Sequence, residues 1–140
     1  MTNLKIRPRP RPDVTRGTTE KIPIYCGKIY VTINEDTRGI CEIIIETGKY
    51  GGCRTNVGVL GRVLSIALRS GIEPKVLIKQ LENSPCPAAR RSKKKSYSCP
   101  DAIAIAIKKR REFKVCLKKK QKRNSSKRAS ALPNTDKRTP

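Results

Sequence analysis

Histidine and tryptophan are both missing from this chain of 140 residues, and phenylalanine occurs once. Without histidine the commonest general base is gone, and so are the zinc sites that use imidazole, which much weakens any catalytic reading. One Phe and an apolar share of 36% make a large core unfavourable, so a small folded unit carrying tails is expected. Acidic residues are scarce as well: 11 Asp and Glu stand against 33 Lys and Arg, a formal net charge of +22. No N-terminal stretch has the apolar run of a signal peptide, and no segment approaches the roughly 20 apolar residues of a membrane span. A cytoplasmic location is the expectation. The six cysteines are then reduced thiols or metal ligands, because stable disulfides belong to oxidising compartments.

What is abundant is positive charge, and its distribution is uneven. Residues 1–17 carry about +4 and residues 108–140 about +12, while the 90 residues between them carry about +6. Five of the central charges sit together as Arg90, Arg91, Lys93, Lys94 and Lys95. The tail adds Lys108, Lys109, Arg110, Arg111, Lys118, Lys119 and Lys120. Basic arms on a nearly neutral body suit a polyanion such as DNA or RNA, bound without sequence preference through phosphate neutralisation. The competing reading is a set of solvated lysine-rich extensions.

Hydrophobic periodicity divides the chain into an arm (1–17), an α+β domain (18–107) and a basic, mostly disordered tail (108–140). Arg7-Pro8-Arg9-Pro10-Arg11-Pro12 is incompatible with helix or central strand. Three short strands follow, at Glu20–Tyr25, Lys28–Asn34 and Ile40–Thr47, the first at an edge because of Pro23. Asn34 to Gly39 reads as a polar loop. Three strands joined by turns predict a small antiparallel sheet with one face covered by about three helices.

The first helix, Val57 to Ser70, is the one around which the domain is expected to organise. Its apolar residues, including Val59, Val63 and Ile66, are numerous enough for burial around most of its circumference. Thr55 or Asn56 is a candidate cap, Ser70-Gly71 a candidate stop, and Gly58 and Gly61 imply a close backbone neighbour. A short second helix has Glu73 as its cap candidate and Pro74 in its first turn. Ser84 to Tyr97 reads as loop. Ala102 to Ile107 has strand-like alternation, but Ser98-Cys99-Pro100-Asp101 is a helix start, and that decides for helix.

Cys26, Cys53, Cys86 and Cys99 each lie beside Gly or Pro, at turns or helix starts that bring distant parts of a chain together. A four-sulfur zinc site uses such positions, although the separations are not those of a zinc knuckle. Separate, unassociated thiols are the alternative. Cys41 reads as strand filler and Cys116 as a tail thiol. The two consecutive helices read as a packing hairpin in preference to a DNA-reading helix-turn-helix, since the second carries no Arg.

Several short motifs occur in one order: Arg7-Pro8-Arg9-Pro10, Cys26-Gly27, Tyr30-Val31-Thr32-Ile33-Asn34-Glu35-Asp36, Gly51-Gly52-Cys53, Ala67-Leu68-Arg69-Ser70-Gly71, Cys86-Pro87 and Ser98-Cys99-Pro100-Asp101. Over roughly residues 7–107 the chain resembles the TSCPD domain. That domain occurs near the C-terminal end of adenosylcobalamin-dependent ribonucleotide reductases and in small stand-alone proteins. Here the naming motif begins Tyr97-Ser98 where the family usually has Thr-Ser. The resemblance implies a non-catalytic accessory or regulatory role in deoxyribonucleotide supply for DNA synthesis, with a reductase catalytic subunit as partner. Adenosylcobalamin would enter only through that separate reductase and not be bound by this chain. Cys26, Cys53, Cys86 and Cys99 fall at the family's cysteine positions, implying a shared metal or redox site, with zinc as the expected ion.

Overall fold

In the computed structural model, residues 5–48, 53–91 and 97–112 are described. Three antiparallel strands, β1 (Arg16–Ile24), β2 (Gly27–Asp36) and β3 (Gly39–Thr47), form a sheet in the order β1-β2-β3. Helices α1 (Arg54–Arg69), α2 (Pro74–Leu81), α3 (Pro87–Arg91) and α4 (residues 99–112) follow. The α+β expectation holds. The chain divides after Lys108, and of its second unit, Lys109–Pro140, only residues 109–112 are described.

Alternation along the strands sends Ile22, Ile24, Ile29, Val31, Ile33, Ile43 and Ile45 to one face, where all are buried. Pro23 lies on β1, which is an edge strand as its missing N–H requires. The expected loop after Asn34 is mostly strand. The hairpin closes tightly over Thr37 and Arg38, with Gly39 at φ 129°. Before it the register shifts: Asn34 pairs with Glu42 but Glu35 with Ile40, leaving Cys41 as the extra residue of a bulge. The bulge buries Ile40 and Cys41 consecutively, and the Cys41 thiol donates to the Asn34 carbonyl oxygen at 3.5 Å.

α1 packs on β3, but it is buried on one face only. Val57, Gly61, Leu64, Ser65 and Leu68 are covered, while Val59, Val63 and Ile66 are 41, 56 and 48% exposed. Ser65 is buried although polar, and its hydroxyl serves the Ile43 amide (2.9 Å) and carbonyl (3.3 Å). That interaction takes hydrogen-bonding groups of β3 that have no further strand to pair with. Neither Thr55 nor Asn56 caps the helix. Both lie in its first turn, behind an N-cap at Cys53 with no side-chain cap. The end is as expected: Gly71 at φ 92° donates to Leu68 and Ile72 to Ala67, a Schellman closure.

The helix buried on most sides is α4. Ala102, Ile103, Ala104, Ala106 and Ile107 are all within 1% of full burial. Its Ala-Ile alternation reflects burial on several sides and not a strand period. Ser98 starts it as a capping box, accepting from the Asp101 amide at 3.2 Å and donating to the Asp101 carboxylate at 2.9 Å. α3 lay in a segment expected to be loop. It is one turn with no buried residue, so it leaves no hydrophobic period to read.

The Pro-Arg arm is held against the domain over its described part. Arg9 donates to both carboxylate oxygens of Asp36 (2.9 and 3.1 Å) and to the carbonyls of Leu68 and Ile40 (both 3.2 Å). Its amide donates to the Arg69 carbonyl at 3.1 Å. Arg11 forms a two-pronged pair with Glu42 at 2.7 and 3.0 Å. The arm thus bridges the β2–β3 hairpin and the C-terminal end of α1.

Candidate metal centre

Each of the four candidate cysteines stands where a turn or helix begins. Cys26 occupies the β1–β2 turn before Gly27, whose φ of 132° suits glycine. Cys53 is the N-cap of α1, and Cys86 precedes α3. Cys99 opens α4. A short parallel bridge between Ile24 and Tyr97, with the Tyr25 amide donating to the Tyr97 carbonyl at 3.2 Å, sets Cys99 beside Cys26. Both cysteines pack against the hydrophobic core.

Burial pushes the Cys99 thiol up to about 11, and the neighbouring thiols of Cys26, Cys53 and Cys86 push in the same direction. Cys86 Sγ also accepts the Ala89 amide at 3.4 Å, and Cys53 is exposed. Among the described residues, however, no three Cys, Asp or Glu side chains are set closely enough to hold a metal ion. Four cysteines suit zinc in number and kind, but they are not drawn into a coordination shell. Cys41 stands apart on β3, its thiol raised mainly by burial. Cys116 lies outside the described residues.

The candidate phosphate-binding residues are dispersed. Arg90 and Arg91 are exposed at the end of α3. Lys108 pairs with Glu82, and Lys108, Lys109 and Arg111 are exposed on α4, with Arg110 partly covered. Lys93, Lys94, Lys95, Lys118, Lys119 and Lys120 lie outside the described residues. The arm's Arg9 and Arg11, counted in the basic character of residues 1–17, are engaged by carboxylates. Only the acidic positions Asp36 and Glu42 hinted at this, and nothing in their spacing tied them to the arm.

The chain was compared with known protein families. The TSCPD domain model matches residues 3–111. The chain belongs to the TSCPD domain family. That family is associated with ribonucleotide reductases. No curated protein and no solved structure matches the chain. No helix among the described residues is long and apolar enough to cross a membrane.

Proposed function

We propose that this TSCPD protein is a non-catalytic accessory module of ribonucleotide reduction, acting on a separate reductase catalytic subunit. We further propose that Cys26, Cys53, Cys86 and Cys99 hold a structural zinc ion. The observation that supports the reading is the placement of Cys26, Cys53, Cys86 and Cys99 at turns and helix starts, with Cys99 set beside Cys26 by the Ile24–Tyr97 bridge, within a chain of this family. Zinc would supply cross-links that a small core lacks. Cys26 would bring the β1–β2 turn, Cys53 and Cys99 the starts of α1 and α4, and Cys86 the segment before α3.

The test is elemental analysis of protein purified under reducing conditions, joined to co-elution with a reductase catalytic subunit. About one zinc per chain is expected, lost in Cys26→Ser and Cys99→Ser and retained in Cys116→Ser. Metal-free protein with an unchanged unfolding midpoint in chelator would remove the zinc site. Failure to co-elute would remove the reductase partner.

One observation favours a second role. Residues 113–140 carry ten Lys and Arg against the single acid Asp136. Sequence-independent contact with DNA or RNA suits that composition, because lysine runs read charge and not base edges.

A further inference from the structure

The outer side of α1 and the free edge of β3 enclose an open groove of about 600 Å³. Its apolar surface comes from Ile44, Val59 and Ile66, each between 41 and 48% exposed. Arg54, Arg62 and Arg69, spaced two turns apart on one side of α1, line it with positive charge. Glu42 and Glu46 edge the strand side, but Arg11 engages the first and Arg54 the second. Among the described residues Arg62 and Arg69 form no ion pair, and Arg69 Nε is buried without a hydrogen-bond partner. The groove is therefore apolar and under-compensated in negative charge.

We infer that this groove binds an extended acidic peptide whose apolar side chains alternate with carboxylates. The backbone of β3 suits an extended occupant. Ser65 takes the outward amide and carbonyl of Ile43, and strand alternation turns those of Ile45 to the same edge, where they can pair with an occupant. Carboxylates on the peptide would meet Arg62 and Arg69, and aliphatic side chains would cover Ile44, Val59 and Ile66. Nucleic acid fits less well, because no aromatic side chain lines the groove to stack a base. A second copy would set the arginine row against itself. Residues 113–140, with ten basic residues and one acid, are repelled by the same row. This binding needs neither zinc nor a reductase.

The experiment is fluorescence anisotropy of the full chain with a labelled peptide of alternating glutamate and valine, at physiological salt. Saturable binding is expected, weakened roughly tenfold by Arg62→Glu, since charge reversal turns attraction into repulsion, and by a similar factor by Val59→Asp. Both positions are exposed, and thermal unfolding of the variants reports that the fold is kept. A glutamate–serine peptide of equal charge is expected to bind clearly more weakly to the unaltered protein. Equal binding of the two peptides, or binding unchanged in both variants, overturns the inference, as contact with the basic tail alone would do this. Single-stranded DNA whose binding is lost in the same variants would overturn it in favour of a phosphate site. A dimer in light scattering that Val59→Asp dissolves would overturn it in favour of self-association.

Discussion

Gly58 and Gly61 lie three residues apart on α1, yet the structure gives them opposite roles. A Cβ on Gly61 would stand 2.9 Å from the Ile43 carbonyl oxygen and 3.3 Å from two Ile45 side-chain carbons, whereas nothing lies within 4 Å of one on Gly58. Alanine at either position gains about 1 kcal/mol of helix propensity. At Gly61 the gain is offset by a helix forced off the strand, typically about 1–3 kcal/mol for overpacking. Gly61→Ala is therefore expected to lower the denaturant midpoint and Gly58→Ala to raise it. A stabilised Gly61→Ala would show that α1 can move away from β3 freely. From sequence the pair implied one close backbone contact. Which glycine makes it depended on helix rotation, because positions three residues apart differ by only about 60° around the axis.

Among the elements, the arm differs most from its sequence reading. Arg7-Pro8-Arg9-Pro10 has the composition of a solvated basic extension, but proline also stiffens a segment and lowers the entropy lost when it docks. Arg9 then closes on Asp36 and on two carbonyls, joining the hairpin to the end of α1. Arg9→Ala is expected to cost about 2 kcal/mol, the scale of hydrogen bonds to a charged group that stays partly buried. An unfolding midpoint unchanged in Arg9→Ala would mean that the arm rests on the surface without holding it.

The same contact has a pH signature. Hydrogen bonding from Arg9 holds the Asp36 carboxyl below its ordinary range, and Arg11 does the same for Glu42. A depressed carboxylate stabilises the fold fully above the unfolded-state pKa, roughly 4, and that contribution is lost as pH falls through the lower folded value. Stability should therefore decline with acid below about pH 4, and less steeply in Asp36→Asn. Parallel acid profiles for the two proteins would remove Asp36 from the account.

On the scale of the whole molecule, charge and core are separated along the chain. One hydrophobic cluster joins the sheet to α1, α2 and α4, while basic residues concentrate after residue 107. If that tail contacts duplex DNA, each phosphate it neutralises steepens the salt dependence by roughly 0.9 log units per tenfold change in salt. Deleting residues 117–140 is expected to flatten the slope while leaving the thermal unfolding of the domain in place. Equal slopes for the truncated and intact proteins would leave the tail without a phosphate-binding role.

Local chemistry by itself determined much of this protein. Three strands, the Schellman stop at Gly71, the capping box at Ser98 and the edge position of Pro23 were legible because each depends on a few neighbouring residues. The family was legible from motif order. Only tertiary structure decided which helix is enclosed. α1 and α4 are both rich in apolar residues, and the packing of α4 within the core leaves Val59, Val63 and Ile66 facing outward. It likewise decided the partners of Arg9, Arg11 and Ser65, the shape of the groove beside β3, and the approach of Cys26 to Cys99 through the Ile24–Tyr97 bridge. These contacts join residues 22 to 73 positions apart, so their pairing depends on how the chain closes in space and leaves no trace in local spacing.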